Sequence, residues 1–136
     1  SLGLRHTRTM QLVGTLLVVL VAVEHLWFLI LEMFLFRTPV GLETFQMSQQ
    51  KADACATLAQ NQGLYNGFLA AGLVTALITK SLLLRRFSLA CIIFAGLYGS
   101  YSLGGAAVMV FQSGPALLAL AVTELSDRQQ AAVGSR

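Results

Sequence analysis

The run from Met10 to Phe36 constrains this chain more than any other stretch. It holds 27 consecutive residues with only Glu24, His25 and Glu32 as ionisable groups. About 20 apolar residues suffice to cross a bilayer core as a helix. A soluble domain would have to hide the whole run inside itself, and the composition argues against that. Hydrophobic residues make up 56% of the 136 and charged residues 11%, against about 45–50% and about 25% in ordinary soluble domains. Lipid is therefore the expected solvent.

Three more apolar segments follow, at about 62–79, 87–103 and 106–125. The expected fold class is all-α: an integral membrane four-helix bundle, one domain over residues 1–136, with spans at about 10–36, 62–79, 87–103 and 106–125. Gly104-Gly105 makes the last two an antiparallel hairpin. Arg5 and Arg8 precede the first run as they would in a signal peptide. That run outlasts a 7–15-residue signal core and closes without a small-residue cleavage pattern, so it reads as a retained span.

The segment 37–61 is too polar to span. Pro39 and Gly41 break the first helix, and Ser48 is placed to cap a surface helix through "QQKADACATLAQ" that feeds into the second span. This loop helix is expected on the extracytoplasmic side. Lys and Arg placement sets the orientation. Arg5 and Arg8 mark the N-terminus, and Lys80, Arg85 and Arg86 mark the loop between the second and third spans. The long first loop balances Arg37 and Lys51 against Glu43 and Asp53. Both termini are thus expected in the cytoplasm, with Arg85 and Arg86 as anchors of that face. Under this topology Cys55 and Cys91 lie far apart and are two free thiols. A net charge of +3 is too small an excess to point to nucleic acid.

An α-helix turns about 100° per residue. Glu24, His25 and Glu32 then share one face of the first span, with Phe28 between them, while Val19, Leu26 and Leu29 face away. Trp27 reads as packing or lipid contact. In "NQGLYNGFLAAGL", Asn61, Gln62, Tyr65 and Asn66 fall within one sector about 140° wide, beside small residues that let membrane helices approach. Glu32 and Asn66 match in depth. Tyr98 and Gln112 sit at a similar depth on the third and fourth spans, and the inner halves are nearly all aliphatic. These nine residues are the candidate pocket: Glu24, His25, Glu32, Asn61, Gln62, Tyr65, Asn66, Tyr98 and Gln112, enclosed by four helices and opening outward. Each has a bland counterpart. Glu24 with His25 also serves as a structural clasp between helices, Tyr98 and Tyr101 as interfacial belt aromatics, and Gly114-Pro115 as a kink. No metal site or cofactor is expected. A His and two Glu on one helix make a weak ligand set, and the chain shows no phosphate-binding loop, zinc spacing or catalytic triad.

"VEHLWFLILEMFLF" and "LAQNQGLYNGFLAAGL" resemble two signature blocks of a family of small four-helix bacterial membrane proteins. It is catalogued as a domain of unknown function, number thirteen hundred and four. "FAGLYGSYS" and "FQSGPALLAL" are similar to its third and fourth helices, and Pro39-x-Gly41 also fits. The likeness covers about residues 10–123. It implies a bacterial inner-membrane location and marks Glu24, His25, Glu32, Asn61, Gln62, Tyr65 and Asn66 as characteristic, without naming an activity.

Three functions remain open at this level. A polar pocket with acids suits binding or transport of a small molecule, organic cation or amphiphile, coupled to protons at Glu24 or Glu32. Four helices are few for a pathway, so a homodimer in membrane lipid is expected in that case. Glu24, His25 and Glu32 also suit a membrane enzyme working by acid–base chemistry on a lipid-soluble substrate. A structural or assembly partner is the third.

Overall fold

The computed structural model describes residues 2–134, and these are helical almost throughout. Among them are α1 (Leu2–Met33), a short α2 (Pro39–Thr44), α3 (Gln49–Ile78), α4 (Leu82–Leu103), a π-helical turn (Met109–Ser113) and α5 (Gly114–Gly134). Among the described residues, three helical stretches are long and apolar enough to cross a membrane: Arg5–Met33, Leu82–Leu103 and Met109–Gly134. Of the most apolar part of each, 28%, 22% and 33% is buried within the chain. The remaining apolar surface faces outward, as expected of helices solvated by lipid rather than water.

Several boundaries differ from the expected ones, each for a local reason. α1 stops at Met33 rather than Phe36, and Leu35 N–H reaches back to Ile30 O at 3.2 Å where it ends. Thr38, the residue before a proline, avoids the helical region with φ −86° and ψ 165°, and Pro39 opens α2 from its first turn. The surface helix and the second expected segment are one helix. Ser48 Oγ accepts from Lys51 N–H at 3.3 Å, and α3 then runs unbroken for 30 residues. Its first half is polar, which keeps α3 out of the set long and apolar enough to span. α4 begins at Leu82, capped by Ser81, whose hydroxyl accepts from Leu84 N–H at 3.2 Å. Arg85 and Arg86 therefore stand on a helix, not in a loop.

The contacts divide the chain into two units, one running up to Val21 and resuming at Gly72, the other Ala22–Ala71. In the first, α4 and α5 form the expected antiparallel hairpin. Gly104 ends α4 in the left-handed region at φ 70°, a conformation glycine takes without steric cost. Further down the hairpin, Ser100 Oγ accepts from Met109 N–H at 2.7 Å and Ser113 Oγ donates to Ile93 O at 2.8 Å. Arg86 closes the far end on Glu124 and Asp127. The π-turn precedes Gly114-Pro115, where proline cannot donate to the helical ladder, so the expected irregularity is a change of helical pitch. Val18, Val21, Leu73, Leu89, Ile92, Ala116 and Ala119 form the core.

In the second unit, α1 from Ala22 onward packs antiparallel on α3. A Cβ on Gly67 would lie 2.5 Å from Leu29 Cδ1, and one on Gly63 would lie 2.7 Å from Met33 Cγ. The intervening chain folds back through α2. Phe36 meets Phe45 with ring centroids 5.2 Å apart, and Gly41 sits so close to the Leu35 and Phe36 carbonyls that no side chain fits there. Pro39-x-Gly41 is thus the local requirement of a tight return.

Candidate functional site

The second unit carries the candidate site. Burial along α3 follows one seam: Ala52, Gly63, Asn66 and Ala70 are buried. Asn66 is the polar member, 4% exposed, and its Nδ2 donates to Glu32 Oε2 at 2.7 Å. The Asn66 Oδ1 is buried with no hydrogen-bond partner among the described residues. A buried amide oxygen left unpaired costs about 1–3 kcal/mol, so this atom is an acceptor in want of a donor.

On α1, His25 and Glu32 are seven residues apart and share the inward face. His25 is wholly buried and meets Phe28 edge-on, ring centroids 5.3 Å apart. Glu24, one residue back, is half-buried, and its Oε1 is buried without a hydrogen-bond partner among the described residues. Glu24 lies about 12 Å along the helix from Glu32 at ~1.5 Å per residue.

Next to Glu32 opens a cavity of about 290 Å³. Its polar lining is Glu32, Arg37, Thr38, Gln49, Asp53 and Gln60, with Met33, Phe34, Phe36 and Ala56 as the apolar part. Asp53 Oδ1 accepts from Gln49 Nε2 at 3.0 Å and faces Arg37 NH1 at 3.9 Å. The latter separation is an ion pair without a direct hydrogen bond, and both partners are more than half exposed.

The nine expected site residues are distributed as follows. Glu24, His25, Glu32 and Asn66 lie on buried or half-buried faces of the second unit, and Glu32 and Asn66 touch. Asn61, Gln62 and Tyr65 are exposed. The buried seam of α3 centres on Gly63, Asn66 and Ala70, and a sector as wide as 140° exceeds what one neighbouring helix covers. Tyr98 and Gln112 belong to the first unit. Tyr98 is 71% exposed and pairs with Tyr101, ring centroids 6.2 Å apart, while Gln112 is buried.

Arg37, Gln49, Asp53 and Gln60 line the cavity without belonging to the nine expected residues. Once α3 is known to begin at Gln49, the spacing of Gln49, Asp53, Ala56 and Gln60 places them on one helix face. In the sequence alone the opposed charges of the loop give only a zero sum.

Residues 19–123 match the family described as "Protein of unknown function (DUF1304)". The chain belongs to the DUF1304 family. Among its relatives is the uncharacterized protein YpaA of Lactococcus lactis subsp. lactis (strain IL1403), 33% identical over 115 residues, which cover 82% of this chain and 96% of that protein. No solved structure matches. The DUF1304 match takes in all nine candidate residues and every cavity-lining one. It starts after the basic N-terminal turns of α1 and ends before Glu124.

Proposed function

We propose that this protein is a multi-pass inner-membrane protein that binds or transports a small molecule, an organic cation or amphiphile, through an outward-opening polar pocket centred on Glu32. The observation that carries the reading is the Glu32–Asn66 hydrogen bond at 2.7 Å beside a cavity of about 290 Å³. An acid inside a membrane helix costs about 2.5–3.5 kcal/mol to insert, and such groups mark ligand or proton pathways by default. Here the acid is held by a buried amide and lines the cavity, where a cation can meet it.

Positive-inside asymmetry supports the orientation. Arg5, Arg8, Lys80, Arg85 and Arg86 would lie on the cytoplasmic side with both termini, and the α2 return on the outside. The apolar half of α3 supplies the fourth crossing. Residues 63–78 reach only ~24 Å at 1.5 Å per residue, short of the ~30 Å hydrocarbon core, so this crossing relies on local thinning of the bilayer. Glu24 and His25, deeper on the same face of α1, are the groups to relay a proton once a cation displaces one at Glu32.

The test uses proteoliposomes loaded with a pH-sensitive dye, with tetramethylammonium added outside. Cation-dependent proton movement in the wild type, lost in Glu32→Gln and Glu24→Gln, is expected. Traces that ignore the cation in all three proteins overturn the coupling to transport.

A further inference from the structure

We propose that the cavity beside Glu32 takes a small zwitterion, a molecule carrying an ammonium and an oxyanion a few ångströms apart. This deepens the cation-pocket reading and rests on it. Two acids and one guanidinium line the same cavity. Glu32 is fixed by Asn66. Arg37 pairs with Asp53 only at 3.9 Å, both side chains more than half exposed. Asp53 is engaged by Gln49 at 3.0 Å. The Arg37 fork is thus free of a short hydrogen bond to Asp53, and planar bidentate capture of a carboxylate or phosphate is what a guanidinium does best. A lone cation would leave Arg37 as a repulsive wall, and a lone anion would leave Glu32 as one. A zwitterion satisfies both Glu32 and Arg37.

Size agrees. At about 30 Å³ per water in the liquid, 290 Å³ holds on the order of ten waters or one small organic molecule. Phe34 and Phe36 in the lining offer aromatic surface to the ammonium's carbon neighbours, and Thr38 and Gln60 add neutral hydrogen-bonding groups. The same chemistry occurs in a free amino-acid-like solute and in an ethanolamine phospholipid headgroup.

The experiment is isothermal titration calorimetry of the full chain in phospholipid-free detergent. The probes are phosphoethanolamine, its cationic half ethylamine and its anionic half inorganic phosphate. Phosphoethanolamine is expected to bind at least about tenfold more tightly than either half, the worth of one charge-assisted hydrogen bond. Arg37→Gln should erase that advantage by weakening phosphoethanolamine, whereas ethylamine, relieved of a like charge, should bind no more weakly than before. Glu32→Gln, which keeps an acceptor for Asn66, should weaken both phosphoethanolamine and ethylamine. Repeating the titration in nanodiscs separates the sources. Suppression by phosphatidylethanolamine discs but not phosphatidylglycerol discs supports the zwitterion with the headgroup as occupant, and equal binding in both supports it with a free solute. Ethylamine binding as tightly as phosphoethanolamine, with no effect of Arg37→Gln, overturns the zwitterion and leaves the cation pocket standing. Inorganic phosphate binding as tightly, with no effect of Glu32→Gln, overturns both, as does the absence of binding by all three probes.

Discussion

Glu32 on α1 and Asn66 on α3, 34 residues apart in sequence, are joined by a 2.7 Å hydrogen bond from the amide Nδ2 to the carboxyl Oε2. The amide is almost wholly buried, and its oxygen has no hydrogen-bond partner among the described residues. One amide thus holds the acid in place on one side and presents an unused acceptor on the other. This pairing ties the packing of the second unit to the chemistry of its cavity.

Removing the acid should therefore cost stability, and keeping an acceptor should restore most of it. Glu32→Ala leaves both polar atoms of Asn66 without the partner they have or need, a loss of about 1–3 kcal/mol. Glu32→Gln retains an oxygen for the amide and should fall well short of that loss. Thermal unfolding in detergent, with Asn66→Ala and the double variant completing the cycle, measures the coupling.

Arg86 anchors the far end of the α4–α5 hairpin. It donates through Nε to Glu124 Oε1 and through NH2 to Glu124 Oε2 at 3.0 Å and to Asp127 Oδ2 at 2.8 Å. Arg86→Ala should lower Tm, and Arg86→Lys should recover only part of it, since an ammonium cannot reproduce the two-pronged grip. The gap between wild type and Arg86→Ala should narrow as salt is raised toward ~1 M, where exposed charges are screened within about 3 Å.

Lys80 closes α3 in the left-handed region at φ 55°, where Ser81 N–H reaches back to Ala76 O at 3.0 Å. A side chain there carries a steric cost that glycine avoids, roughly 1–2 kcal/mol per residue. Lys80→Gly should raise Tm by an amount worth about 1 kcal/mol, with the helical content by circular dichroism unchanged.

Gly96 faces Ser113 across the hairpin. A Cβ there would collide with the Ser113 hydroxyl and lie 3.0 Å from its backbone nitrogen. Gly96→Ala should cost about 1–3 kcal/mol by overpacking. Adding Ser113→Ala should recover only part of it, because the backbone contact persists. Full recovery would place the clash in the hydroxyl alone.

These residues also show what could be read before folding. The pairing of Glu32 with Asn66 followed from matching their depths, and the common face of His25 and Glu32 from a seven-residue spacing that a helix repeats after two turns. The Gly104 turn was equally local. Asn61, Gln62 and Tyr65 were grouped with Asn66 because angle alone was counted. Which part of a wide sector meets a neighbour depends on small residues such as Gly63, whose position against Met33 exists only in the packed pair. In the sequence Arg86 reads as a loop residue because it stands with Lys80 and Arg85 between two apolar segments. Its acids, Glu124 and Asp127, lie about forty residues on, and no local pattern links them. Arg37 and Asp53 were hidden for the same reason. They belong to one cavity only after α2 folds the chain back.

The most direct measurement of the central claim is the aqueous accessibility of position 32. In a Cys55→Ala, Cys91→Ala background, the proposed outward opening of the cavity predicts that Glu32→Cys reacts with a membrane-impermeant thiol reagent added outside intact cells. Protection from that reagent by phosphoethanolamine would tie the accessible site to the ligand. A thiol at 32 that stays unreactive from outside, or reacts only once the membrane is permeabilised, would contradict an outward-opening pocket at Glu32.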